Sequence, residues 1–150
     1  MCSSDLAGAS GLWLLGGMPA DGILTTIDLE TEHQRAAREA FAAAGFAHQR
    51  TRVIAGRALE VLPRMTDAAY DLVVVDADKQ EYPDYLAQAT RLLRRGGTLV
   101  MTWSDKESDP ASRDPETRTL RDVGRTIRDQ GRFIVSLLPV GEGLLVAVKR

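Results

Sequence analysis

The sequence has 150 residues, of which 44% are hydrophobic and 27% are charged, and its formal net charge at pH 7 is -2. This composition is typical of one globular domain. The lack of a basic excess argues against nucleic acid or anionic lipid as partners. No apolar run approaches the ~20 residues of a membrane span. The single cysteine, Cys2, cannot form an internal disulfide or a cysteine-built zinc site, which predicts a reducing compartment, the cytoplasm.

The first half of the chain alternates helix and strand patterns. The β-branched runs predict strands, and the alanine-rich stretch with a 3.6-residue apolar period predicts a helix. The predicted elements are a helix around Trp13 to Leu15, a strand from Ile23 to Ile27 ended by Asp28, a helix capped by Thr31 and stopped by Gly45, a strand from Arg52 to Ala55 closed by Gly56, and a short helix from Ala58 to Leu62.

The second half continues this alternation and ends differently. The apolar residues from Asp71 to Val75 are continuous, which predicts a central parallel strand covered on both faces. The later predicted elements are a helix with the apolar stripe Tyr82, Tyr85, Leu86, Ala89, Leu92 and Leu93, a break at 94–97, a strand from Thr98 to Met101, a helix from Pro115 to about Asp129 capped by Asp114, and a hairpin of strands Phe133 to Leu138 and Leu144 to Val148.

This order of elements predicts an α/β fold. We expect a doubly wound, mostly parallel, Rossmann-like sheet with an antiparallel C-terminal hairpin, in a single domain over residues 1–150. Ligands of such sheets bind beyond the carboxyl ends of the strands. Because Asp28, Gly56 and Asp76 each follow a predicted strand, they are candidate ligand-binding residues.

Five segments share their order and spacing with a known family. They are IDLE (27–30), GRALEVLP (56–63), VDADKQEYPDY (75–85), LLRRGG (92–97) and VGEGLLVAVKR (140–150). In them the chain, from about Gly8 to Arg150, resembles the S-adenosylmethionine-dependent O-methyltransferases of the catechol and caffeoyl-CoA type, especially their small bacterial members. The resemblance implies a class I methyltransferase domain that methylates a small hydroxylated, aromatic acceptor.

The resemblance also implies which residues bind the cofactor. Asp28 would accept hydrogen bonds from the two ribose hydroxyls, although an acidic residue there can also simply favour the following helix N-terminus. The turn of Gly56, Arg57 and Ala58 matches the adenine side of the cofactor site, where a small residue permits close backbone approach.

A glycine-rich turn binds the rest of the cofactor in this family. Only Gly8 to Gly11 matches it here, and Ser10 would bind the cofactor carboxylate at a helix N-terminus or act as an ordinary N-cap. The segment before it lacks the apolar run of the family's first strand. This difference predicts a degenerate or missing first strand and an N-terminally truncated chain.

The catalytic residues implied by the resemblance lie in the DADK segment. Asp76 matches the family's first metal ligand and borders the cofactor site, and Lys79 matches the general base that acts on the acceptor hydroxyl. A phenol, whose pKa is near ~10, must lose its proton before it attacks the methyl group. The alternative for Lys79 is a solvated surface lysine.

The metal site departs from the family pattern. Family members continue their fourth strand as Leu-Val-x-Asp-Asn-x-x-Trp, and the Asp-Asn pair completes an oxygen site for a divalent cation such as magnesium. Here the sequence is LVMTW: an ungapped comparison puts Thr102 and Trp103 at the ligand positions, whereas a three-residue deletion pairs Trp103 with the family tryptophan. Neither completes the site around Asp76, and Asp105 and Asp109 lie nearby.

These departures leave alternatives to an active methyltransferase open. One is a non-catalytic, methyltransferase-like fragment or inactive paralogue that binds cofactor weakly or pairs with another chain. A nicotinamide-binding module is disfavoured because the sequence lacks GxGxxG and because DADK and GRALEVLP would have no explanation. The expected partner is the small-molecule acceptor, without nucleic acid or membrane, and a homodimer remains open.

Overall fold

The computed structural model describes residues 8–104 and 111–150. The chain divides into two compact units, Met1–Leu62 and Pro63–Arg150. The first unit contains α1 (Ala9–Gly17), β1 (Leu24–Asp28), α2 (Thr31–Ala43), β2 (Thr51–Ala55) and α3 (Ala58–Val61). The second contains β3 (Tyr70–Val75), α4 (Tyr82–Leu92), β4 (Leu93–Thr102), α5 (Pro115–Asp129), β5 (Phe133–Leu138) and β6 (Leu144–Lys149). The predicted loss of a first strand concerns residues 1–7, which lie outside the described residues.

In the first unit a parallel pair of strands packs with two helices. β1 and β2 run in register from Leu24 opposite Thr51 to Asp28 opposite Ala55. The core contains the buried side chains of Leu15 from α1 and of Ala37 and Phe41 from α2. The 3.6-residue apolar period of α2 therefore predicted the face that the helix buries.

Local hydrogen bonds shape both ends of α2, and the sequence predicted one end correctly. At its C-terminus the helix ends as predicted, because Gly45 adopts a left-handed φ of 82° and the amide of Phe46 donates to the carbonyl of Phe41 at 3.1 Å. At its N-terminus the prediction was wrong: Glu30 is the cap residue and Thr31 is already helical. The carboxylate of Asp28 accepts a hydrogen bond from the Glu30 amide at 2.8 Å and so shapes this turn.

The second unit contains a four-stranded sheet in the order β3-β4-β6-β5. β3 is parallel to β4, whereas β6 pairs antiparallel with both β4 and β5. The predicted α/β class with a C-terminal antiparallel hairpin is therefore confirmed. The helix capped by Asp114 is confirmed as well, since its carboxylate accepts from the Thr117 amide at 2.8 Å.

Two details of this sheet differ from the sequence prediction. Within the described residues β3 pairs with β4 alone and is an edge strand, and of its residues just Val75 is buried. The continuous apolar run therefore predicted a strand, but it predicted neither the burial of its residues nor its pairing among the described residues. Leu93 belongs to β4 instead of the helix before it, and the irregular pairing between Tyr70 and Leu72 accommodates the glycines of the predicted break.

α1 makes a specific prediction about glycine. A Cβ atom added at Gly11 would lie 2.6 Å from the ring of Phe41, whereas one added at Gly16 meets no described atom within 4 Å. Since Phe41 is buried and cannot move freely, Gly11→Ala is expected to lower the free energy of unfolding by about 1–3 kcal/mol. The matched variant Gly16→Ala is expected to be neutral or stabilising, because alanine favours helix. Denaturant titration followed by circular dichroism measures both, and equal effects would contradict this packing.

The helices of the described residues include none with the length and apolar character needed to cross a bilayer.

Candidate active site

The predicted site residues fall into two groups, one in each unit. The first unit carries the candidate cofactor ligands Gly8, Ser10, Asp28, Gly56, Arg57 and Ala58. The second unit carries Asp76 and Lys79.

Asp28 lies at the carboxyl end of β1 with its side chain largely buried, 14% exposed. One carboxylate oxygen accepts from the Glu30 amide, and the other lies 3.4 Å from Nδ1 of His33. The carbonyl of Asp28 accepts from the side-chain amide of Gln34, which is itself buried. These contacts fix the orientation of the carboxylate. Because a carboxylate can accept about four hydrogen bonds, Asp28 keeps acceptor capacity for a ligand.

The structure brings the Gly56 turn next to Asp28. The amide of Gly56 donates to the carbonyl of Asp28 at 3.1 Å, which extends the pairing of β1 and β2 by one residue. Gly56 has a φ of 139°, a conformation that side chains rarely adopt, so the turn requires glycine. Arg57 then caps α3, and Ala58 is its first residue.

Gly8 and Ser10 lie at the N-terminus of α1. Gly8 has a φ of 105°, and an added Cβ would lie 3.0 Å from the Cα of Ala37. The left-handed turn and the close approach to α2 both demand glycine at this position. The helix N-terminus that follows presents backbone amides, which is the arrangement that binds an anion.

In the second unit, four side chains form one hydrogen-bonded network at the ends of β3 and β4. The hydroxyl of Thr102 lies 3.1 Å from Oδ1 of Asp76, 2.7 Å from Nζ of Lys79 and 2.6 Å from the hydroxyl of Tyr82. Nζ of Lys79 lies 3.0 Å from the Tyr82 hydroxyl and 4.9 Å from the centre of its ring. Lys79 is therefore partly buried and its amine is hydrogen-bonded, so it is not a solvated surface lysine.

Local structure explains how these residues meet. Val75 pairs with Met101, so the next residues, Asp76 and Thr102, leave the two parallel strands side by side. A 3-10 turn over Lys79–Glu81 then directs the chain into α4, and the Asp78 carboxylate caps this turn by accepting from the Gln80 amide at 2.9 Å. Of the two carboxylates in DADK, Asp78 therefore stabilises the turn and Asp76 faces the network.

Trp103 lies immediately beyond Thr102 and is held by its backbone. Its amide donates to the carbonyl of Gly143 at 2.9 Å, and its ring lies close to Gly124 of α5. The position next to Asp76 therefore belongs to Thr102, as the ungapped comparison places it.

The donors around Asp76 do not fit a magnesium site. Magnesium prefers six oxygen ligands in near-octahedral geometry, often including more than one carboxylate. Asp76 contacts the Thr102 hydroxyl, and this hydroxyl also contacts the amine of Lys79. The described residues contain no group of three histidine, cysteine, aspartate or glutamate side chains. Asp105 and Asp109, the other acidic candidates, lie outside the described residues.

Comparison with known proteins agrees with these features. A model of a family described as O-methyltransferase matches residues 5–150. The chain belongs to this O-methyltransferase family. A protein of Mycobacteroides abscessus is 51% identical over 146 residues, which cover 95% of this chain and 68% of the relative. A probable O-methyltransferase of Mycobacterium tuberculosis is also 51% identical, with coverage of 95% and 65%. The chain thus spans about two thirds of the length of these relatives.

Solved structures share the fold, and two of the following three are O-methyltransferases. A Corynebacterium glutamicum protein has a TM-score of 0.87 and 35% identity, over 95% of this chain and 68% of its own. The O-methyltransferase TomG from Streptomyces achromogenes, solved with S-adenosylmethionine, has a TM-score of 0.85 and 29% identity, over 95% and 69%. The Bacillus cereus O-methyltransferase, solved with S-adenosylhomocysteine, has a TM-score of 0.85 and 28% identity, over 97% and 70%.

Sequence reasoning missed the contacts of two members of this hydrogen-bonded network. Tyr82 was assigned to an apolar stripe, and it is indeed fully buried, yet its hydroxyl contacts both Lys79 and Thr102. Thr102 was considered solely as a poor metal ligand. The three-residue spacing of Lys79 and Tyr82 was a usable signal, because residues three apart share a helix face.

Proposed function

We propose that this chain is an S-adenosylmethionine-dependent methyltransferase whose acceptor is a small, hydroxylated aromatic molecule. Membership of the O-methyltransferase family supports the reaction, and the two neighbours solved with S-adenosylmethionine and S-adenosylhomocysteine support the cofactor. The observation that carries the proposal is the fixed carboxylate of Asp28 at the end of β1, beside the Gly56 turn.

The first unit fits the cofactor. The carboxylate of Asp28 can accept hydrogen bonds from two vicinal ribose hydroxyls, since its existing contacts leave acceptor positions on both oxygens. Gly56 and Ala58 are small residues, which would let a planar base approach the backbone, and the N-terminus of α1 at Ser10 suits a carboxylate.

The second unit would serve the acceptor. Bound S-adenosylmethionine would supply the electrophilic methyl group on its sulfonium. Transfer forms an oxygen–carbon bond while the sulfur–carbon bond breaks, and the acceptor proton must leave before or during this step. Lys79 and Asp76 are the candidate groups beside the acceptor oxygen, because the network holds both at the strand ends.

Cofactor binding is tested by calorimetry with S-adenosylhomocysteine. Asp28→Asn keeps an oxygen that can accept from the Glu30 amide but replaces the other oxygen with a donor. We expect its affinity to fall roughly tenfold to a hundredfold, the loss expected for one or two charge-assisted hydrogen bonds. Glu39→Gln, on the exposed side of α2, is the matched control and should bind like the wild type.

The same experiment separates the alternatives. No binding by the wild type would overturn the proposed cofactor site. Binding without transfer of labelled methyl to a panel of catechols would identify the chain as a non-catalytic relative. Binding with transfer supports the proposal as stated.

A further inference from the structure

We infer that the ammonium of Lys79, held by Thr102 and Tyr82, supplies the positive charge beside Asp76 that a divalent cation supplies in related enzymes. Thr102 and Tyr82 are then positioning residues for Lys79. The role of this charge in methyl transfer rests on the proposed function. Its place beside the Asp76 network rests on the hydrogen bonds alone.

The hydrogen bonds of Lys79 account for every donor of an ammonium group. An ammonium has three donors and no acceptor. Nζ faces three oxygens: the Tyr82 hydroxyl at 3.0 Å, the Thr102 hydroxyl at 2.7 Å and the Thr102 carbonyl at 3.4 Å. The ring of Tyr82, 4.9 Å from Nζ, adds a cation–π contact. This surrounding stabilises a positive charge.

The hydroxyl protons of Tyr82 and Thr102 can be assigned in the same way. The Tyr82 hydroxyl can donate to the Thr102 hydroxyl at 2.6 Å while it accepts from Lys79. The Thr102 hydroxyl can donate to Oδ1 of Asp76 while it accepts from Lys79. The hydroxyl of Thr102 thus links one cation to one carboxylate: it accepts from Lys79 and Tyr82 and donates to Asp76.

The same arrangement disfavours a metal ion. A cation bound to Asp76 would lie near the ammonium of Lys79, and like charges repel most strongly in a partly buried site. Thr102 offers a neutral hydroxyl in place of a second carboxylate, and this hydroxyl is already engaged by Asp76, Lys79 and Tyr82.

A fixed ammonium can stabilise the acceptor as its oxyanion. In this scheme the acceptor proton passes to solvent, the oxyanion attacks the methyl carbon, and the electron pair of the broken bond remains on sulfur. Donors and charges aimed at a reacting oxygen typically contribute 10²–10³ in rate. The lysine then acts by its charge, in contrast to the general base that the family resemblance implies.

Metal binding gives a test that does not need activity. Manganese is titrated by calorimetry into the wild type and into the double variant Thr102→Asp/Lys79→Met, which has two carboxylates and no ammonium. We expect no binding by the wild type up to millimolar manganese and measurable binding by the double variant. Manganese binding by the wild type would overturn the inference. A folded double variant that binds manganese no more tightly than the wild type would overturn it as well.

Methyl transfer tests the role of each residue. We expect chelator to leave wild-type turnover unchanged, and Thr102→Val to lower it by roughly 10–100-fold, as loss of a positioning partner does. Thr102→Ser should restore most of it, and the control Thr119→Val, which removes an exposed hydroxyl from α5, should leave it unchanged. Affinity for S-adenosylhomocysteine should stay within about twofold in all of them.

Lys79→Arg distinguishes a role of Lys79 as a fixed positive charge from a role as a general base. Arginine stays protonated and cannot accept a proton. Turnover of Lys79→Arg well above that of Lys79→Met supports the charge role, whereas equal loss in both supports a base and overturns the inference. If the wild type transfers no methyl group at all, the proposed function fails, and the manganese titration still decides whether Lys79 fills the cation position.

Discussion

Lys79→Met is expected to reduce methyl transfer at least a hundredfold while the affinity for S-adenosylhomocysteine changes by less than about twofold. Methionine keeps the length and the apolar stem of lysine but removes the charge that three oxygens hold in place. Lys79 is not one of the candidate cofactor ligands, so we expect binding to persist. Initial rates with labelled S-adenosylmethionine and a catechol, beside calorimetry on the same preparations, measure both quantities.

The control for this variant removes a cation elsewhere in the same unit. Arg128 lies exposed in the last turn of α5, and Arg128→Met should keep wild-type turnover. Lys79→Met activity within about threefold of the wild type would show that the lysine is not part of the reaction, since even one modest hydrogen bond to a charged group is worth more.

Tyr82→Ala is expected to lower the free energy of unfolding by about 3–5 kcal/mol, the cost typical of removing a large aromatic side chain from a core. The exposed fraction of Tyr82 is 0%, and it is the largest fully buried side chain in the described residues. Its loss leaves a cavity at the start of α4 and removes a hydrogen-bond partner of Lys79 and Thr102. Thermal and denaturant unfolding monitored by circular dichroism measure the effect.

Tyr82→Phe separates the contribution of the buried ring from that of the hydroxyl. The ring remains, so the stability loss should be about 1–2 kcal/mol, the cost of leaving polar partners unsatisfied. Leu137→Ala, at an exposed position of β5, serves as the control for truncation of an apolar side chain and should cost little. A Tyr82→Ala protein as stable as Leu137→Ala would contradict the buried position of the tyrosine.

The sequence predicted most elements because their signals are local. The start of α5 depends on Asp114 and Pro115, which are adjacent, and the end of α2 depends on Gly45 directly after the last turn. Apolar periodicity likewise identified five buried residues of α4, since the period of a helix is fixed by its geometry. The error at the start of α2 also involves a near neighbour, because the Asp28 carboxylate accepts from the Glu30 amide two residues later and Glu30, instead of Thr31, is the cap residue.

Family membership was also contained in the sequence. The five segments of the O-methyltransferase pattern are distributed over residues 27–150, and the family model matches residues 5–150. The order of these short segments does not depend on the residues between them. It was therefore enough to predict the fold class, including the C-terminal hairpin. That β3 pairs with β4 alone among the described residues could not be predicted, because strand order depends on pairing between segments that are far apart in the chain.

The sequence by itself determined which residues are available: an aspartate after each of two strands, a lysine in DADK, and a threonine where the family pattern has a carboxylate. Only the tertiary structure decided that Thr102 contacts Asp76, 26 residues earlier in the chain, and that Lys79 and Tyr82 meet at the same hydroxyl. The physical reason is that the register of parallel β3 and β4 sets these contacts. A shift of one residue in that register would direct the Thr102 side chain to the opposite face of the sheet.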